Sequence, residues 1–254
     1  MHYSVCLPAV LGNMDVSEAF AAVKTAGFKH YEIWGWWGMD MDACLKAQQK
    51  EGLRIAAMCT RMVSLTDAAC RAEYINGLQE TAEICHKMGC KTVISQVGQE
   101  LAGVPREAQH QSIVDGLRAC VPILKENDLT LVIEPLNTRI DHKGYYLWSA
   151  EEAFRIIDEV GDTHVKVLYD MYHHYVMDDL DLDMLIRNID KIGHFHMAGY
   201  PGRHEPMCDS EIDYPKILIA IKNSGYQGSI GQEYIPVHEV KEGLAQLWGQ
   251  LDSI

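Results

Sequence analysis

The feature that most constrains this sequence is an alternation repeated eight times: a short apolar run rich in β-branched and aromatic residues, then a longer segment of helical period. The runs are Tyr3 to Leu7, Tyr31 to Trp34, Arg54 to Cys59, Thr92 to Val97, Leu131 to Leu136, Val165 to Asp170, Gly193 to Ala198 and Ser229 to Tyr234. The helical segments are Ser17 to Thr25, Met41 to Lys50, Ala68 to Lys87, Arg106 to Lys125, Ala150 to Glu159, Leu180 to Asn188, Tyr214 to Lys222 and Val237 to Leu247. Several end as Lys24-Thr25-Ala26-Gly27 does, with a cationic or polar last turn and then the glycine that suits a helix C-cap. Eight β-α units in about 250 residues match a (β/α)8 barrel. A doubly wound open sheet would need a Gly-rich phosphate turn after an early strand, and G-x-G-x-x-G occurs nowhere. With no Pro-rich or Ser-rich linker, the sequence predicts an α/β fold, one TIM-barrel domain over residues 1–254.

At 48% hydrophobic and 23% charged, the chain can bury one large core without disulfides or a structural metal. Twenty-two basic against 36 acidic residues leave a net charge of −14, the wrong sign for gripping a polyanion, so no nucleic-acid partner is expected. The eight cysteines form no C-x-x-C pair, and some lie in apolar runs such as Ile55 to Cys59. They read as buried free thiols of a reducing compartment. No basic, then apolar, leader precedes Asp15, and no long uncharged apolar stretch follows; a cytoplasmic protein with no membrane association is expected.

In such a barrel, catalytic groups sit at the C-terminal ends of strands. Four runs end in ligand-type residues: Glu134 in Ile133-Glu134-Pro135-Leu136-Asn137, Asp170 in Leu168-Tyr169-Asp170, the pair in His194-Phe195-His196, and Glu233 in Gly231-Gln232-Glu233-Tyr234. A carboxylate inside an apolar strand is costly unless paired or metal-bound. Three carboxylates and an imidazole at one rim form a mixed oxygen/nitrogen set suited to Mn²⁺, Mg²⁺ or Co²⁺ rather than a thiolate zinc site. His173, three residues past Asp170 on an expected loop, could reach substrate there. Arg203, in the turn-rich Pro201-Gly202-Arg203-His204-Glu205-Pro206, could clamp a carboxylate or sugar hydroxyl, the alternative being a surface pair with Glu205 or Asp209. Trp36, in Trp34-Gly35-Trp36-Trp37, is taken as a substrate-facing ring, with Tyr145, Tyr146 and Trp148 as a second part of an aromatic wall.

Through these strand-end residues the chain resembles the xylose isomerase-like TIM barrels, the sugar phosphate isomerase/epimerase superfamily, over essentially its whole length. Glu134-Pro135-Leu136-Asn137, Gly144-Tyr145-Tyr146-Leu147, Tyr169-Asp170-Met171-Tyr172-His173, Pro201 to Pro206 and Glu211-Ile212-Asp213-Tyr214-Pro215 are most similar to the hydroxypyruvate isomerase-like branch. That branch usually carries Gln at the strand-seven ligand position. Gly193-His194-Phe195-His196 is instead similar to the ketose 3-epimerases, which however often have a carboxylate where this chain has Ile140. The resemblance implies that Glu134, Asp170, His196 and Glu233 hold one divalent metal ion, Mn²⁺ foremost with Mg²⁺ or Co²⁺ as alternatives. Glu134 and Glu233 double as the proton-transferring pair.

The implied activity is a metal-dependent isomerisation of a small sugar or sugar acid by enediolate proton transfer between two glutamates. Ketose 3-epimerisation uses the same groups, and a third possibility is elimination from a keto-glycoside, for which the tryptophans would supply an aromatic wall. The DNA-repair endonuclease branch of the same barrel would need further ligands and a basic face. A small-molecule carbohydrate is the expected partner, with a homo-oligomer by resemblance.

Overall fold

The computed structural model describes residues 1–12 and 14–254, and within them eight parallel strands close into a barrel in chain order. The elements run β1 (His2–Cys6), α1 (Leu7–Leu11), α2 (Val16–Ala26), β2 (His30–Ile33), α3 (Met41–Glu51), β3 (Arg54–Cys59), α4 (Arg71–Met88), β4 (Thr92–Ser95), α5 (Arg106–Asn127), β5 (Thr130–Ile133), α6 (Ala150–Val160), β6 (Val165–Asp170), α7 (Met171–Val176), α8 (Leu182–Arg187), β7 (Ile192–Met197), α9 (Tyr214–Asn223), β8 (Ser229–Gln232) and α10 (Val240–Asp252). The ring closes where β1 lies on β8, from His2 opposite Ser229 to Val5 opposite Gln232. The expected single (β/α)8 barrel is therefore the observed fold.

Local chemistry explains why the helices start and stop where they do. In α6 the Ser149 hydroxyl accepts from the Glu152 amide, a capping arrangement, and the helix buries Ala150, Ala153, Phe154, Ile157 and Val160, a stripe at three- and four-residue spacing. Gly27, Gly52 and Gly89 each end a helix with positive φ, as their sequence positions lead one to expect. At Gly27 a side chain would also collide with the Trp248 indole of α10, since a Cβ would stand 2.6 Å from that ring.

Two packed regions result. The large core lies between barrel and helices, while Ala57, Cys59, Ile94, Val132 and Leu168 form a second cluster from β3 to β6. Across the ring, β2 and β7 are not neighbours, yet Glu32 of β2 bonds His194 and His196 of β7, a contact that can run only through the barrel interior. The barrel is thus apolar on one side and polar on the other, and the polar side leads up to the rim where the strand-end residues gather.

Candidate active site

Register brings the strand-end residues to one level. Asp170 stands opposite His196, and His196 opposite Gly231. Glu134 and Glu233 lie one residue past β5 and β8, and each is still held by the neighbouring strand, Glu134 N to Ser95 O at 3.2 Å and Glu233 N to Met197 O at 3.1 Å. One ligand-type atom from each of Glu134, Asp170, His196 and Glu233 lies within 4.8 Å of the others, and all four residues are buried.

Each side chain is aimed by a separate local bond. Asp170 caps α7: one carboxylate oxygen accepts from the Tyr172 and His173 amides, leaving Oδ2 without a hydrogen-bond partner. His173 lies in α7 rather than on a loop, a correction to the expectation from sequence, because the Asp170 cap starts a helix at once after β6. Asn137 accepts two backbone amides, from Ile140 and Asp141, through Oδ1, so its amide nitrogen must be the donor to His173 Nδ1 at 2.6 Å. The His173 proton is thereby placed on Nε2, which lies 3.4 Å from Asp170 Oδ2. Arg203 Nη2 lies 2.5 Å from Glu233 Oε2 and 3.8 Å from Asp170 Oδ2, with its guanidinium 5.3 Å from the Tyr172 ring centroid. Its alternative surface partner Glu205 is occupied instead by the amides of Val237 and His238.

Four buried atoms here have no hydrogen-bond partner: Glu134 Oε1, Asp170 Oδ2, His173 Nε2 and His196 Nδ1. Orphaned buried polar atoms are costly, and three of these belong to the four-residue cluster. His196 Nδ1 is 3.4 Å from both Glu134 Oε1 and Glu233 Oε2. A cation between them would satisfy all three orphans, and three carboxylates with one imidazole are a donor set that hard to borderline divalent ions accept. The residues present therefore fit a metal ion.

The environments drive the charges apart. Burial, together with the Glu233 and Asp170 charges, pushes the Glu134 carboxyl up to about 7. Burial also raises Asp170, against Arg203 and His196. Glu233 is held well below the usual carboxylate range: burial opposes its charge, but His196, Arg203 and the Trp34 indole, whose Nε1 donates at 2.5 Å, outweigh it. His196 is raised well above the usual imidazole range because Glu233, Glu32 and Glu134 overcome burial. His173 is lowered by burial and by Arg203, which makes it a neutral donor at physiological pH.

The cavity, about 290 Å³, is lined by Glu134, His173, His196, Arg203 and Glu233 together with Cys6, Glu32, Trp34, Cys59, Met62 and His142. Trp36 is not among them. Its indole turns to α4, donating to Thr81 Oγ1 at 3.1 Å beneath Arg61, because residues 36–38 form a single tight turn that swings it away. Trp34 takes the position expected of Trp36, while Trp37 lines an adjoining apolar cleft that shares Trp34 and Met62. Tyr145 and Tyr146 are buried rather than forming a wall; Tyr145 bonds the Val97 amide and the Glu134 carbonyl, bracing the end of β5. Trp148 borders a separate surface cleft, and Ile140 is exposed outside the cavity. Glu32 escaped the reading of strand ends, although the cost of a carboxylate in the run Tyr31-Glu32-Ile33-Trp34 is the same signal that marked the others. No described cysteine is in a disulfide, and six of the eight thiols are buried.

A closed parallel barrel whose C-terminal rim gathers two glutamates, an aspartate and a histidine defines a class, the barrel with a buried acid/imidazole centre. The chain belongs to the family described as Xylose isomerase-like TIM barrel, whose model matches residues 20–248. Hydroxypyruvate isomerase of Escherichia coli (strain K12) is 34% identical over 172 residues, 68% of this chain and 66% of that protein, just under two thirds of its length. Putative hydroxypyruvate isomerase of Homo sapiens is 26% identical over 238 residues, 89% of this chain and 86% of that one. The crystal structure of AP endonuclease, family 2 from Brucella melitensis superposes with a TM-score of 0.90, 97% of this chain covering 98% of that one, at 23% identity, a likeness of fold.

Proposed function

We propose that this protein is a divalent-metal-dependent isomerase of a small hydroxy-carbonyl sugar acid, of the kind its hydroxypyruvate isomerase relatives are named for. The observation that carries the reading is the convergence of Glu134, Asp170, His196 and Glu233 on one point with three of their atoms orphaned. Glu134, Asp170, His196 and Glu233 would hold a divalent ion, which would supply polarisation of a substrate carbonyl and its neighbouring hydroxyl and so acidify the C–H on the hydroxyl-bearing carbon.

The chain's own groups supply the rest. Glu233, kept ionised by Arg203 and His196, is the carboxylate that removes the proton, and Glu134, once protonated, returns one to the adjacent carbon. His173 offers its Nε2 proton to a substrate oxygen. Arg203, a guanidinium in the cavity wall, suits a substrate carboxylate. Trp34 lines the cavity and, through the bond its indole N–H donates to Glu233, holds that carboxylate in place.

Epimerisation at a single carbon is the second reading, favoured by one feature: His196 stands in the cluster where the isomerase-like branch usually carries Gln. The product separates the two. Hydroxypyruvate yielding its 2-hydroxy-3-oxo isomer supports isomerisation; a ketohexose inverted at C3 with no aldose formed supports epimerisation. Protein loaded with Mn²⁺ that converts neither would contradict both.

A further inference from the structure

A histidine can meet a metal through either ring nitrogen, and β7 offers two inward-facing histidines, His194 and His196, two residues apart. What selects one ring and one nitrogen lies across the barrel on β2. Glu32 is buried, with Oε2 2.9 Å from His196 Nε2 and Oε1 3.1 Å from His194 Nε2, and the Ser4 hydroxyl also donates to Oε1. A carboxylate only accepts, so the imidazole nitrogen facing each oxygen must carry a proton. On a neutral His196 the lone pair is then on Nδ1, the orphaned atom 3.4 Å from Glu134 and Glu233.

The space for this contact is specified as well. Gly231 of β8 lies opposite both His196 and Ser4. A Cβ there would stand 2.3 Å from Glu32 Oε1 and 2.7 Å from His196 Cδ2, so a side chain on β8 and the Glu32–His196 contact exclude each other.

We infer that Glu32 is a positioning residue: it fixes the His196 ring so that Nδ1 alone faces the Glu134–Asp170–Glu233 cluster, and it ties His194 below the cluster as support rather than ligand. The inference rests on the metal reading of that cluster. A carboxylate behind a ligating histidine orients the ring and raises its basicity, and losing such a partner typically weakens metal binding by roughly 10- to 100-fold.

The test compares wild type with Glu32→Gln, Glu32→Leu and His194→Phe. The Mn²⁺ dissociation constant should rise about 10- to 100-fold in both Glu32 variants and stay within about threefold in His194→Phe. In Zn²⁺-loaded, ¹⁵N-histidine-labelled wild type, NMR should show His196 ligating through Nδ1 with Nε2 protonated, and Glu32→Gln should lose that single mode. Unchanged Mn²⁺ affinity in a folded Glu32→Gln, ligation through Nε2, or equal loss of affinity in His194→Phe would each overturn the assignment. Should Glu32→Leu fail to fold, Glu32→Gln keeps the size of the side chain but leaves one acceptor oxygen for the three donors, Ser4, His194 and His196, and turns an amide N–H toward the others. The same spectrum on metal-free wild type separates this inference from the reading beneath it. A slowly exchanging, hydrogen-bonded Nε2 proton on His196, lost in Glu32→Gln, supports the fixed ring even if no metal binds, and its absence from wild type refutes it.

Discussion

Glu134 and Glu233 are a pair whose surroundings differ although their side chains do not. One is desolvated among like charges, and the other is held by an imidazole, a guanidinium and an indole. If they divide the proton transfer, Glu134→Gln and Glu233→Gln should each lower turnover by at least roughly 10²-fold, with the protein folded by circular dichroism. Near-normal turnover in either, with metal bound, would remove that residue from acid/base chemistry. The histidine adds a pH dependence whose sign follows from its raised pKa. A proton on His196 Nδ1 must leave before that atom can donate a lone pair, so metal affinity rises with pH and levels off only above the folded-state pKa. An ordinary imidazole would place that change around pH 6 to 7. Contact with Glu233, Glu32 and Glu134 moves it upward, and the Glu134 carboxyl, titrating at about 7, acts in the same direction. Calorimetric Mn²⁺ titrations should therefore show affinity still climbing above neutral pH, and His196→Gln should flatten the upper part of that climb. Identical profiles would show that His196 is not a ligand.

At the scale of elements, the sequence was most legible where periodicity was long. All eight runs became strands and the eight long helical segments became helices, but the ends moved. β5 stops at Ile133 although the apolar run continues to Leu136, because Pro135 has no amide to give a ladder and Leu136 packs into the core instead. α1 and α7, of five and six residues, are too short to show a period. The strand-end ligands were legible because a carboxylate in an apolar strand carries a cost wherever it sits. Glu32 carries the same cost but lies inside a strand at the far side of the ring, where its partners on β7 cannot be seen from β2. The direction of Trp36 was illegible for another reason: a single 3₁₀ turn has no repeating face. Gly27→Ala places a Cβ at φ +110° against Trp248, where α2 meets α10, and should destabilise the fold by more than about 1 kcal/mol in urea unfolding. Gly52→Ala, also left-handed but facing open space, should cost less. Equal costs would mean that the α2–α10 contact yields.

As a whole molecule the chain is acidic, −14, yet the cavity at its rim contains a half-buried arginine between two carboxylates. No described helix is long and apolar enough to cross a membrane. A metal that binds the folded state and not the unfolded one should raise the thermal midpoint, since ligand at 100 times its dissociation constant adds about 2.7 kcal/mol. Melting curves should thus shift upward with Mn²⁺ and return on chelation. Asp170→Asn, which keeps an acceptor for the α7 cap while losing a charged ligand, should melt near wild type without metal and gain less from it. On the proposed function, this rim labilises a C–H bond with a divalent ion held by Glu134, Asp170, His196 and Glu233. The most direct measurement is NMR of hydroxypyruvate in D₂O with demetallated protein, before and after Mn²⁺ is added. Deuterium should enter the carbon beside the carbonyl, with the isomer appearing, only after Mn²⁺ is restored and not in Glu233→Gln; turnover at the same rate in the demetallated protein would rule out a metal-dependent centre.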